Sequence, residues 1–309
     1  MLKRKALRKI CITTFSILTI FIICIMPDKL NSNNNYLNPK IDTIYVDNSK
    51  TNSIYLLGDN GYLVKTNIIV NKKELKDKIK EIIDYLTVNK NSKIPNGFKG
   101  IIPNDAKLNN IELNDKMVIL DFSKELLNTK LKERMRESIV YSLIELDGIE
   151  GVTIKVDGNI LEGLPEVLNR TYGINKVYEI DDYKNVEKVV LYYLDIINDK
   201  NYYVPVTKYL NDDRDKIQII IDNLSSSYVY ESSLMSLLKS NIELINNEIE
   251  DKMMKLNFNN DIFSDDKVLE EVTYSISESV FENYDVDSVL FQVNGKDIVT
   301  YEKCCGIKK

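Results

Sequence analysis

The chain is written twice. "VILDFSKELL" at residues 118–127 returns as "MKLNFNNDIF" at 254–263, with Val118, Leu120 and Phe122 replaced by Met254, Leu256 and Phe258 at a shift of 136. Both runs follow Asp-Lys-Met, at 115–117 and 251–253. Leu131, Met135, Ile139 and Leu143 recur as Val268, Val272, Ile276 and Val280 at a shift of 137, and Val152, Ile154 and Val156 recur as Val289, Phe291 and Val293 at the same shift. Ile79, Ile83 and Leu86 recur as Ile217, Ile221 and Leu224 at 138. Intact elements separated by small changes in loop length are what a diverged duplication leaves. A chain of 309 residues has room for two domains of ordinary size.

Within one copy the order of patterns is definite. "SIYLL" (53–57) and "YLVKTNIIV" (62–70) are apolar and β-branched runs around the turn signal "GDNG". Leu75, Ile79, Ile82, Ile83 and Leu86 then fall on one face of a helix over 72–89. "IPNG" breaks the pattern, and "KLNNIEL" and "MVILDF" read as a second hairpin around Asn114, Asp115 and Lys116. Leu131, Met135, Ile139 and Leu143 form a second amphipathic helix, and "VTIKV" (152–156) closes the unit as a strand before the turn Asp157-Gly158. The expected fold class is α+β, each domain a small mixed sheet packed by two helices in ββαββαβ order. Burying one four-residue helix face contributes about 6–12 kcal/mol of gross apolar transfer, at about 1.5–3 kcal/mol per side chain. Intrinsic helix propensity supplies far less, so the helices exist only against the sheet.

The address is written at the start. Residues 10–26 carry no charge, follow Lys3, Arg4, Lys5, Arg8 and Lys9, and precede Pro27, Asp28 and Lys29. That is the short end of a transmembrane helix, and the positive-inside rule places the N-terminus in the cytoplasm and the body outside. Cleavage as a signal peptide, or lipidation at Cys24, is the alternative, against which stand the missing Ala-x-Ala site and Ile23 before Cys24. The expected division is 1–29 basic stub and anchor, 30–52 Asn-rich tether, 53–165 first domain, 166–186 ordered interdomain arm, 187–300 second domain and 301–309 tail. The arm holds "RTYGINKVYEI" (170–180), apolar enough to pack.

Composition removes several function classes. The chain has no His and no Trp, so the commonest general base and metal ligand are absent. The net charge is −6, and the five basic residues before position 10 leave −11 for the body, which argues against binding nucleic acid. Neither Cys11 and Cys24 nor Cys304 and Cys305 has zinc-type spacing. The Cys304-Cys305 pair is open to two readings, an intermolecular disulfide or a frayed tail.

The hairpin, the helix, "IPNG", the strand ending in Asp-Phe-Ser (121–123), the helix "SIVYSLIEL" (138–146) and "GVTIKVDG" (151–158) together resemble the GerMN domain of sporulation and spore-germination proteins. The resemblance covers 53–165 well and 187–298 more loosely, and tandem copies behind an anchor or lipobox are usual in that family. It implies a fold similar to the ring-building domains of secretion and sporulation assemblies. It further implies an envelope role in a spore-forming bacterium, in engulfment, the mother cell–forespore complex or germination, with no enzymatic activity. Envelope or sporulation channel proteins are the implied partners, with self-association left open. The second copy departs from the pattern at Asn257, Asn259 and "SSSYVY" (225–230), so a site needing Asp121, Ser123 or "IPNG" would survive only in the first.

No catalytic, cofactor-binding or metal-ligating residue is expected. Asp121, Ser123, Lys124 and Glu125 suggest a Ser-Lys nucleophile, but neighbours on a strand point to opposite faces. Ser123 reads better as the N-cap of a turn beginning "KELL". Asp181, Asp182, Asp212 and Asp213 lack the alternating ligands of a calcium loop, and the sequon Asn169-Arg170-Thr171 carries little weight under the bacterial origin that the resemblance implies. The rival to a scaffold is a cell-wall or small-ligand binding module, for which the 19 Tyr would have to line a pocket. Leu143→Asp is expected to unfold the first copy, and an unchanged circular-dichroism melt of residues 30–309 carrying it would overturn this reading.

Overall fold

The computed structural model describes residues 51–90, 93–161, 163–225, 234–264, 267–303 and 306–308. The first copy opens with the hairpin β1 (Thr51–Gly58) and β2 (Leu63–Ile69), followed by helix α1 (Leu75–Leu86) and the short β3 (Phe98–Lys99), which pairs with β1. Next come the hairpin β4 (Leu108–Asn114) and β5 (Met117–Phe122), a 3-10 turn (Lys124–Asn128), α2 (Lys132–Leu143), β6 (Gly151–Val156) and β7 (Asn159–Ile160). Strands β5 and β6 are parallel, as a crossover through α2 allows. After β8 (Val177–Glu179), the second copy repeats the plan. It has the hairpin β9 (Glu187–Ile197) and β10 (Lys200–Leu210), α3 (Lys216–Ser225), the hairpin β11 (Leu244–Glu250) and β12 (Met253–Phe258), α4 (Glu270–Asn283), β13 (Ser288–Val293), β14 (Lys296–Glu302) and β15 (Gly306–Lys308). The chain is α+β with tandem domains and four described helices. All described residues belong to one compact unit, Tyr45–Lys309, and one hydrophobic cluster runs through both copies.

The repeated motifs have repeated jobs. Asp115-Lys116 and Asp251-Lys252 are the two-residue turns that join β4 to β5 and β11 to β12, and Asp115 and Asp251 both hold positive φ, at 51° and 47°. Asp157-Gly158 and Asn294-Gly295 are the turns after β6 and β13, again with positive φ throughout. Met135, Ile139 and Leu143 are fully buried, as are Ile276 and Val280.

Several expectations are corrected. Each copy holds two sheets, where one was expected: the hairpin strands form β2-β1-β3 and β8-β10-β9, and the mixed sheets are β4-β5-β6-β7 and β11-β12-β13-β14-β15. The simple ββαββαβ order thus gains β3, β7, β14 and β15. Leu131 does not join the helix face. It precedes α2 and is 46% exposed. β1 starts at Thr51, and β14 continues to Glu302 with β15 paired beside it. The transmembrane helix expected at 10–26 lies outside the described residues, and no described helix is long and apolar enough to cross a membrane.

The two sheets of a copy stay separate because a helix occupies the edge between them. Along β1, the Tyr55 N–H donates to Ser142 Oγ (2.9 Å) and Ser138 Oγ donates to the Tyr55 carbonyl (2.7 Å), both serines lying on α2. On β9 the Tyr192 N–H donates to Ser279 Oγ of α4 (2.9 Å). Ser142 and Ser279 are fully buried, so neither strand group has water as an alternative partner. Ser142→Ala and Ser279→Ala are each expected to lower stability by about 1–3 kcal/mol, the range for stranding a buried donor, in urea unfolding of the two variants; a change within error in both would remove this role.

Candidate functional site

The residues weighed earlier as a catalytic cluster sit in structural positions. Asp121 Oδ1 accepts the Gly158 N–H at 2.8 Å, and in the second copy Asn257 Oδ1 accepts the Gly295 N–H at the same distance. Acid and amide are interchangeable there because only an acceptor oxygen is required. Ser123 stands at the N-cap position of its 3-10 turn but makes no cap. Its hydroxyl accepts the Lys107 N–H (3.0 Å), as Asn259 Oδ1 accepts the Glu243 N–H (3.3 Å), and only Asn259 also caps, by accepting from Asp261 N–H (3.2 Å). A hydrogen bond from Ser123 holds the Glu125 carboxyl below its usual range, while Lys124 faces solvent.

The other acids are also engaged locally. Asp181 and Asp182 donate main-chain N–H groups to Asn211 Oδ1, Asp212 pairs with Arg214, and Asp213 is exposed. Asn169 Oδ1 accepts from Thr171 N–H and Oγ1. Cys11, Cys24, Cys304 and Cys305 lie outside the described residues.

The concentration of buried polar chemistry lies instead at the seam between the copies. Equivalent strands β2 and β10 face each other there. Asn175, fully buried in the left-handed region at φ 49°, bridges them: its Oδ1 accepts the Leu63 N–H, and its Nδ2 donates to the carbonyls of Leu63 and Pro205, all at 2.8 Å. Pro205 has no N–H, so this point of β10 offers only an acceptor, which the amide serves. One residue earlier, the Ile174 N–H donates to Thr207 Oγ1 and the Thr207 N–H to the Ile174 carbonyl. The "IPNG" break packs on the opposite hairpin tip, where Asn198 Nδ2 donates to the Asn96 carbonyl (2.8 Å). Gly97 holds φ 87°, and a Cβ there would lie 2.4 Å from Ile197 Cγ2, so any other residue would be strained and would have to displace Ile197.

At the centre of the seam is a clamp on two equivalent carboxylates. Glu145 and Glu282 occupy the same place in the two copies, at the shift of 137, and Arg170 reaches both: Nη2 to Glu145 (2.7 Å) and Nη1 to Glu282 (2.6 Å). Tyr55 and Tyr192, likewise equivalent, donate their hydroxyls to Glu145 (3.2 Å) and Glu282 (3.4 Å). Lys65 stands 3.4 Å from Glu145, and the Tyr141 hydroxyl donates to the Arg170 carbonyl. Burial pushes the Glu145 carboxyl up, but Lys65 and Arg170 outweigh it and hold it below the ordinary glutamate range. Glu278 nearby is pushed up by burial, which Lys65 only partly offsets. Glu137, fully buried beneath Arg134 and the Asn175 N–H, is likewise raised by burial.

None of Arg170, Asn175, Glu145 or Glu282 was singled out as a functional position from the sequence. The signal existed: Tyr55 and Tyr192, Ser142 and Ser279, and Glu145 and Glu282 all keep their identity at the shift of 137, polar matches where most matched positions are apolar.

A protein-family model described as sporulation and spore germination, Germane, matches residues 53–162 and 190–299. The spore germination protein GerM of Bacillus subtilis (strain 168) is 30% identical over 286 residues, which span 85% of this chain and 78% of that protein. The solved tandem GerMN domains of the sporulation protein GerM from Bacillus subtilis are similar with a TM-score of 0.72 at 30% identity, covering 80% of this chain and 91% of theirs.

Arg170→Ala is expected to destabilise the protein by about 1–2 kcal/mol at pH 7, below the figure for a fully buried pair because the Arg170 side chain is 42% exposed. Glu145 has a depressed carboxyl, so its contribution is present above the ordinary glutamate range and lost as pH falls through the folded value. The penalty of the variant should therefore shrink on acidification. Urea unfolding at pH 7 and pH 4 measures this, and a penalty equal at both would show that the clamp is not electrostatic.

Proposed function

Because the chain belongs to the Germane family of sporulation and spore-germination proteins, we propose that it acts in those processes as a non-enzymatic envelope protein that binds other proteins. In this reading its work is engulfment and the assembly or stabilisation of the complex between mother cell and forespore, with a further part in germination. The body stands outside the membrane on an N-terminal anchor, and its partners are envelope or sporulation channel proteins. The observation that carries the reading is the seam: Arg170 joins Glu145 and Glu282, and Asn175 joins β2 and β10, so two domains act as one composite surface. A body joined this way suits a scaffold, which needs fixed spacing between its contacts.

The binding-module alternative needs tyrosines around a cavity. Tyr55, Tyr141 and Tyr192 are buried, and Tyr274 stacks on Tyr203 at 3.8 Å. Two cavities among the described residues, of about 230 and 420 Å³, have Tyr172 as their only aromatic lining. The acidic body also disfavours nucleic acid.

Deletion of the gene in the source organism is expected to reduce heat-resistant spores and disturb engulfment under the microscope. Normal spore counts, engulfment and germination together would remove this function. Crosslinking in sporulating cells then separates the two readings: envelope proteins support the scaffold, and peptidoglycan fragments without them support the binding module.

A further inference from the structure

Along the outer edge of the second hairpin, three successive outward main-chain positions are served. The Val190 N–H donates to Asn283 Oδ1 (3.1 Å) and the Val190 carbonyl accepts from Asn283 Nδ2 (2.7 Å). Tyr192 donates to Ser279, and Leu194 exchanges both of its hydrogen bonds with Met235 (2.8 and 2.7 Å).

In the first hairpin two of the three equivalents are served in the same manner. Tyr55 is held by Ser142 and Ser138, and Leu57 pairs with Lys99 of β3. The third, Ser53, corresponds to Val190, and the residue corresponding to Asn283 is Leu146, which has no amide. Outward-facing residues alternate along a strand, so Ser53 shares the direction of Tyr55 and Leu57, away from β2. No hydrogen bond to the Ser53 main chain is made on this edge among the described residues. In front of it lies a cavity of about 230 Å³, lined by Ser53 and its neighbours Thr51 and Asn52, by Leu75 and Leu146, and by the charged side chains of Lys78, Glu145 and Asp147.

We infer that this cavity is a seat for a carboxamide from outside the chain, an Asn or Gln side chain of a partner protein, in the place that Asn283 fills in the second copy. The chemistry is selective. The seat presents one N–H and one carbonyl side by side, and a carboxamide alone among single side-chain groups of that shape accepts and donates in one plane. A carboxylate accepts but cannot donate to the Ser53 carbonyl, and the lining sets the two carboxylates of Glu145 and Asp147 against the single ammonium of Lys78; an ammonium donates but cannot accept. The volume is below the about 300–1,000 Å³ of pockets for drug-sized ligands, which suits one side chain. This inference rests on the comparison of the two copies and is independent of the sporulation reading.

The test follows the Ser53 and Val190 amide resonances of the nitrogen-15-labelled full chain during titration with propionamide, against isosteric propionate. A saturable shift at Ser53 with propionamide, at least about fivefold weaker with propionate, and no shift at Val190, is expected. Leu146→Asn should fill the seat from within, abolishing the response and slowing hydrogen exchange at Ser53 by about tenfold or more. Asn283→Leu should transfer the response to Val190 and leave Ser53 responding, so the inference does not hang on one variant folding. It is overturned if wild-type Ser53 shows no saturable shift, if propionate acts as well as propionamide, or if Leu146→Asn leaves the response intact.

Discussion

A two-stranded hairpin leaves main-chain donors and acceptors open along both sides, and this chain must close those sides twice. Buried main-chain groups without partners are among the most expensive faults a fold can carry. The outer edges of β1 and β9 are closed at Tyr55, Val190 and Tyr192 by side chains from the helix that follows later in the same copy, Ser138, Ser142, Ser279 and Asn283. The inner edges of β2 and β10 are closed by Ile174 and Asn175 from the segment between the copies. One consequence is that hairpin and mixed sheet never merge within a copy. The other is that the copies meet along their inner edges, with the connecting segment woven between them.

The charge at the seam follows from the same duplication. A carboxylate repeated in both copies arrives twice at one interface, and two partly buried carboxylates need a counter-charge. Arg170 supplies it to both at once, a task suited to the fork of a guanidinium and out of reach of one ammonium. Since Arg170 occurs once, between the copies, the clamp is an asymmetric part serving a nearly symmetric pair. The connecting segment thus becomes a structural part of the body.

The duplicated frame could be read directly. The apolar positions of β5, β12, α2 and α4 fell where their spacing put them, because alternation and 3.6-residue periods register burial in the sequence itself. The polar positions were harder. Asp121 and Asn257 look like a lost acid until both are seen receiving a glycine N–H. Ser123 looks like a helix cap until its hydroxyl is seen receiving the Lys107 N–H from across the hairpin. Leu131 fits the helix period but lies before the first turn, where periodicity no longer predicts direction. The partners of Ser123 and Asp121 lie 16 and 37 residues away, and no local pattern records them.

By itself, then, the sequence determined that there are two copies, that each is α+β, and which faces of their helices and strands are inward. Those properties are periodic and local, and they are stated twice. Only the tertiary structure decided how the edges are closed, which carboxylates share Arg170, and that Leu146 leaves open at Ser53 a place its counterpart Asn283 fills. These depend on single polar groups meeting across separations of 25 to 112 residues, and hydrogen-bond geometry at such separations is fixed only when the chain has packed.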